Sequence, residues 1–182
     1  MTKFDNSWTL FLDRDGVIND KIDSDYVRKW DDFDFIKGSI KAIEHLSSVF
    51  GRIVVVTNQA GIGKGLMTEK HLAEIHRQFL KTIDLLDGRI DKIYHCPDKP
   101  DSRSPNRKPE TGMALQAKQD FPEIEFSRSV IVGDSPSDMD FGRRLGMICV
   151  FIEGNGSDAK GFKPDFTFKS LAEFAVAVLK TA

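Results

Sequence analysis

The chain is poor in cysteine, has no long apolar run and carries no excess of basic charge. Its 182 residues include two cysteines, Cys96 and Cys149, whose separation fits no paired metal-ligand spacing and does not support a disulfide framework. No apolar stretch approaches the roughly 20 residues that cross a bilayer. The opening Met1-Thr2-Lys3-Phe4-Asp5-Asn6 has no apolar segment of a signal peptide behind its one lysine. The cytoplasm is therefore the expected compartment, with no membrane partner. The formal charge of −2 lacks the basic excess of a dedicated nucleic-acid binder, so no nucleic-acid partner is expected either. Repeats, low-complexity tracts and linkers are missing too. What remains has the balance of a soluble globular protein, 40% hydrophobic and 30% charged. One domain over 1–182 is expected, as a monomer.

Short apolar runs alternate with longer amphipathic ones. Trp8 to Leu12, Ile53 to Val56, Ile90 to Tyr94, Val130 to Val132 and Met147 to Ile152 read as strands, with Phe166 to Phe168 a possible sixth. The β-branched run at Ile53 suits a strand covered on both faces. Helical patterns follow Gly38-Ser39 to about Phe50 and span about Thr68 to Leu86. In the latter, Leu72, Ile75, Phe79, Ile83 and Leu86 form one stripe behind an N-cap threonine. Further helices are predicted over Thr111 to Gln119, Ser137 to Leu145 and Leu171 to Leu179. This alternation predicts an α/β fold with a doubly wound parallel sheet, whose ligands gather at the carboxyl ends of its strands.

Four strand ends carry the chemistry. The first runs into Asp13-Arg14-Asp15-Gly16. Carboxylates one residue apart point the same way, and a divalent cation offsets their repulsion; a hard oxygen site suits magnesium. Alone, the spacing is equally an acidic turn. The second ends in Thr57-Asn58-Gln59-Ala60-Gly61-Ile62-Gly63-Lys64-Gly65, a hydroxyl with free backbone N–H groups that could cradle phosphate, or a flexible connection. Arg107-Lys108-Pro109 precedes a helix. A lysine there could neutralise a transferring phosphoryl group and an arginine could grip a second anionic group, although most basic pairs are merely exposed. The fourth strand ends in Gly133-Asp134-Ser135-Pro136-Ser137-Asp138. Asp134 could complete an oxygen site, while helix capping is the competing reading for Asp138 and Asp140.

In this order, Phe11-Leu12-Asp13-Arg14-Asp15-Gly16, Val56-Thr57-Asn58-Gln59, Arg107-Lys108-Pro109 and Val132-Gly133-Asp134-Ser135-Pro136-Ser137-Asp138 resemble the four motifs of haloacid dehalogenase (HAD) superfamily phosphatases. The resemblance covers nearly the whole chain. Tyr26-Val27, Phe33 to Gly38, the glycine-rich loop and His95-Cys96-Pro97 are similar to subclass IIIA, the branch of heptose-bisphosphate and histidinol-phosphate phosphatases, which has a HAD-like Rossmannoid core without a large cap domain.

The resemblance implies a phosphoric monoester hydrolase. Asp13 is its nucleophile, forming an aspartyl phosphate. Asp15 is the acid and then the base, and its proximity to Asp13 would raise its pKa. Mg2+ is held by Asp13, Asp134 and the Asp15 backbone carbonyl. Thr57 and Lys108 hold phosphate, Asn58 and Arg107 bind substrate, and Asp138 orients a metal-bound water or Lys108. Relatives carry a structural zinc on three cysteines and a histidine. Here Cys96 is joined by Asp98, Ser104 and Asn106 at the other ligand positions, so no structural zinc is expected. His45, His71 and His76 are expected to pack or lie at the surface; His95 falls near the site by its strand-end position, with a structural role favoured over a functional one, and Tyr26 and Trp30 either fold over the site as a flap or pack.

The favoured substrate is a small phosphorylated metabolite, D-glycero-D-manno-heptose 1,7-bisphosphate losing its 7-phosphate. Arg107 with Lys64 or Arg103 would take the second phosphate. Histidinol phosphate is the alternative, with Asp98 or Asp101 meeting its amine. A polynucleotide 3′-phosphatase and a non-enzymatic phosphoacceptor domain of the response-regulator type are less favoured. The latter would carry its acceptor aspartate on a later strand.

Overall fold

In the computed structural model, which describes residues 2–22, 24–154 and 161–181, six parallel strands form one sheet. They are β1 (Thr9–Leu12), β2 (Arg52–Asn58), β3 (Lys92–Cys96), β4 (Ser129–Gly133), β5 (Ile148–Ile152) and β6 (Phe166–Phe168), in the order β3-β2-β1-β4-β5-β6. The chain starts at the centre, runs to one edge, returns and runs to the other. That reversal opens a crevice at the carboxyl end of β1, between β2 and β4. Asp13 is the first residue past β1, at the mouth of this crevice.

Successive strand residues face opposite sides. Leu10, Leu12, Ile53, Val55, Val130, Val132, Val150 and Ile152 look one way. There they meet α1 (Ser39–Ser47), α2 (Glu69–Asp84) and α5 (Leu171–Leu179). Phe11, Val54, Val56, Ile131, Cys149 and Phe151 look the other way, onto α3 (Gly112–Asp120) and α4 (Pro136–Leu145). Strands buried on both faces explain the unbroken apolar runs in the sequence.

Helix boundaries follow local chemistry. The Thr68 hydroxyl accepts from the His71 N–H and caps α2. Leu72, Ile75, Phe79 and Ile83 form its buried stripe. Leu86, expected in that stripe, lies past the helix end and is 48% exposed; the chain has already turned toward Gly88. Gly146, at φ +73°, closes α4.

The 19–38 segment packs onto α2 through aromatic rings. Phe33 stacks on Phe79 at 5.4 Å and on Trp30 at 5.1 Å. Trp30 thus belongs to the packing and forms no flap. Tyr26 lies against Gly61, with the Lys64 ammonium 5.3 Å from its ring centre. Among the described residues, no helix is long and apolar enough to cross a membrane.

Candidate active site

Asp13, Lys108, Asp134 and Asp138 come from three separate stretches of chain and meet, all buried, beyond β1 and β4. The Lys108 Nζ lies 2.9 Å from Asp13 Oδ1 and 2.6 Å from Asp138 Oδ1. It also donates to the Val56 carbonyl at 2.7 Å. The buried ammonium thus faces two carboxylates and one backbone carbonyl. Asp13, Asp134 and Asp138 each offer a carboxylate oxygen within 4.8 Å of the others. Asp134 Oδ1 is buried without a hydrogen-bond partner, a state costly for a carboxylate unless a cation completes it. A β-carbon on Gly16 would lie 2.2 Å from Asp134 Oδ2, so only glycine leaves this carboxylate its place. The set fits a hard divalent cation.

Burial, with Asp138 and Asp134 adding to it, pushes Asp13 up to about 7 against the pull of Lys108. Burial also raises Asp134, against Lys21. Burial alone would lower Lys108, but Asp13 and Asp138 hold it charged, above the usual lysine range. Proximity to Asp13 was expected to raise Asp15. The structure reverses this. Burial pushes Asp15 up, but Arg14, Asn19 and Gln59 outweigh it and hold the carboxyl below its ordinary value. Its Oδ1 accepts from Arg14 Nη2 at 3.0 Å and Asn19 Nδ2 at 2.9 Å, and its Oδ2 from Gln59 Nε2 at 2.7 Å. Asp15 is paired with Arg14, whereas Asp13 shares Lys108 with Asp138.

Thr57 is buried at the end of β2, its hydroxyl 2.9 Å from Gln59 Nε2. Asn58 grips the backbone of Lys108, accepting from its N–H at 3.0 Å and donating to its carbonyl at 3.1 Å. Both ends of its amide thus contact the Lys108 backbone. Asp138 caps α4 with one oxygen and faces Lys108 with the other. Its Oδ2 accepts from the Ser135 N–H and hydroxyl at the start of α4, at 3.1 and 2.5 Å, while Oδ1 faces Lys108. Arg107 donates from Nη1 to the Asp98 carbonyl at 3.0 Å. Among the described residues, no ion pair joins it to the cluster.

A family model for polynucleotide kinase 3 phosphatase matches residues 9–178. The chain belongs to that family. A curated relative, the D-glycero-alpha-D-manno-heptose-1,7-bisphosphate 7-phosphatase of Mycobacterium bovis, is 38% identical over 95% of this chain and 92% of its own length. The D-glycero-beta-D-manno-heptose-1,7-bisphosphate 7-phosphatase of Photorhabdus laumondii is 38% identical over 71% of each chain. The crystal structure of D,D-heptose 1,7-bisphosphate phosphatase from B. bronchiseptica, complexed with magnesium and phosphate, superposes with a TM-score of 0.88 at 30% identity. That match covers 96% of this chain and 99% of that one. The doubly wound core is the fold of HAD-superfamily hydrolases.

For this member of the polynucleotide kinase 3 phosphatase family, the sequence motifs left several site contacts unassigned. Gln59 joins Thr57 to Asp15. Lys21, from the loop after β1, places its ammonium 3.0 Å from Asp134 Oδ2. Arg14 reaches His76 of α2, Nη1 to Nε2, at 3.1 Å. The spacing of Arg14 and Gln59 beside named site residues could have flagged them; Lys21 and His76 carry no such signal. The Cys96 thiol donates to Asp98 Oδ2 at 3.5 Å and Ser104 Oγ at 3.7 Å, so these side chains do gather, through hydrogen bonds.

Proposed function

We propose that the chain is a magnesium-dependent phosphatase that removes the 7-phosphate of D-glycero-D-manno-heptose 1,7-bisphosphate through an aspartyl phosphate on Asp13. The convergence of Asp13 and Asp134 on one oxygen-rich point, with Lys108 against Asp13, carries this reading. Asp13, Asp134 and the Asp15 carbonyl would hold the metal, which when bound supplies positive charge to the phosphoryl oxygens and favours ionised Asp13. Asp13 attacks phosphorus in line while Thr57 and Lys108 hold the oxygens. Asp15 gives a proton to the leaving oxygen, and afterwards takes one from the water that cleaves the intermediate. The three donors around Asp15 favour its carboxylate form, ready for the second step. A bound phosphate's negative charge opposes them and favours the protonated form needed in the first. Asp138, paired with Lys108, keeps that ammonium in place; Asn58 does the same for the Lys108 backbone.

The names of the relatives support the sugar bisphosphate. So does the rim. Gly63 N donates to the Pro97 carbonyl at 3.0 Å, bringing the glycine-rich loop against the 96–109 loop. Lys64, Lys99 and Arg103 are exposed on these two loops, suiting a second phosphate better than an amine. The α anomer is favoured, since the α-named relative matches more of the chain. Phosphate release from the two heptose 1,7-bisphosphate anomers and histidinol phosphate, with and without Mg2+, tests the reading. Turnover on the α-bisphosphate should exceed that on histidinol phosphate by about tenfold or more, a difference that one well-made charged contact can supply. The reverse preference would replace the substrate. Full activity in Asp13→Asn would remove the nucleophile and the reading with it.

A further inference from the structure

Arg14 stands between the two site aspartates in sequence, yet it points away from the Asp13 cluster. It is wholly buried. Its Nη2 donates to Asp15 Oδ1 at 3.0 Å, its Nη1 to His76 Nε2 at 3.1 Å, and its Cζ lies 5.7 Å from the centre of the Phe33 ring. The Nε has no partner among the described residues. The guanidinium therefore rests on two side-chain anchors, one of them the proposed acid.

Arginine only donates. His76 Nε2 must then present a lone pair, which makes the imidazole neutral with its proton on Nδ1. Burial, with Arg14 and His95 adding to it, pushes His76 down to about 3, so it accepts throughout the neutral range. The charged and titratable groups around it are Arg14 and Asp15 from the end of β1 and His95 from β3. The His95 ring stands edge-on at 5.9 Å, with its own Nε2 2.9 Å from Glu69 Oε2.

We propose that His76 is a positioning residue for phosphoryl transfer: by accepting from Arg14 it fixes the guanidinium that, with Asn19 and Gln59, aims the Asp15 carboxyl at the leaving oxygen. This rests on the reading of Asp15 as the acid. In that transfer an Asp13 oxygen bonds to phosphorus as the bond from phosphorus to the leaving oxygen breaks, and the Asp15 proton passes to that oxygen. A sugar alkoxide needs the proton. A nitrophenolate leaves without it. Removing the His76 acceptor frees one end of a buried cation, and Asp15 turns with the other end. A misaimed acid harms the first ester and spares the second.

The test compares kcat/KM, which reports the steps up to phosphoryl transfer, in the full chain with Mg2+. The substrates are the heptose bisphosphate and p-nitrophenyl phosphate. His76→Phe keeps a ring and removes the acceptor; His76→Gln offers an amide oxygen in its place. General acids contribute about 10²–10⁴-fold, so His76→Phe should lose about tenfold or more on the sugar ester and less than about twofold on the aryl ester. His76→Gln should recover most of that loss. Equal losses on both esters would make His76 a structural residue, and no loss on the sugar would make it idle; either result overturns the proposal. If His76→Phe does not fold, His76→Met carries the same comparison. Wild-type protein that releases no phosphate from either ester overturns the phosphatase reading itself, a failure distinct from these.

Discussion

Lys108 shows how closely stability and chemistry are joined at single residues. Its ammonium is buried against two carboxylates and one carbonyl. Replacing it with Met leaves Asp13 and Asp138 buried without their cation. Breaking a buried pair in this way costs about 3–5 kcal/mol, so Lys108→Met should lose that much stability to urea in metal-free buffer, along with its activity. A loss below about 1 kcal/mol would mean the ammonium is dispensable to the fold. His76 gives a second prediction. It falls from an ordinary 6.5 to about 3 in the folded protein, so the unfolded chain binds more protons between those values. The stability it contributes is full above 6.5 and is lost as pH falls toward 3, by up to about 1.4 kcal/mol per pH unit. Urea midpoints of wild type and His76→Gln across that window should differ in slope, and parallel slopes would contradict the neutral, half-buried imidazole. Lys21 belongs to the same scale. Its ammonium shares Asp134 with the proposed metal, so Lys21→Met should tighten Mg2+ binding by roughly threefold, as removing a nearby like charge does. Calorimetric titration reads this directly, and weaker binding in the variant would contradict it. Asp13, Asp134 and Lys108 were legible in the sequence because each follows an apolar strand or precedes a helix within a recognisable motif. His76 was not, because α2 presents it as one polar position among many, and only packing sets it, half-buried, against Arg14.

Elements deliver these side chains, and their ends matter more than their middles. Gly16 combines φ +88° with a Cβ position 2.2 Å from Asp134 Oδ2. Gly16→Ala should therefore displace the carboxylate and abolish turnover, while leaving most of the secondary structure seen by circular dichroism. Retained activity would place the metal ligands elsewhere. Gly133 plays the matching part for α4, where a β-carbon would lie 2.2 Å from Asp138 Cβ; the missing side chain lets the helix start against the strand end. Core strands and helices were readable from period and burial. The edges were less so. β2 extends through Thr57 and Asn58, because pairing with His95 and Cys96 of β3 prolongs it beyond its apolar run. α2 ends at Asp84, short of the Leu86 that its pattern suggested, because the chain must turn to enter β3.

At the scale of the molecule, two cores lie on opposite faces of one sheet and share every central strand. Neither can melt without exposing the back of the other, so thermal unfolding should be one transition, and calorimetry resolving two would contradict a single domain. The alternation of strands and helices in the sequence determined the α/β class. The order of the motifs determined that aspartates, a threonine and a lysine would share the carboxyl end of its sheet. These are properties of local pattern and of the rule that parallel strands send their ends to one side. Only the tertiary structure decided which carboxylate is pushed up and which is held down, and which of the four histidines stands behind the site. Charges interact through space, not along the chain. Asp13 and Asp15 are two residues apart, yet one faces two other acids and the other faces an arginine.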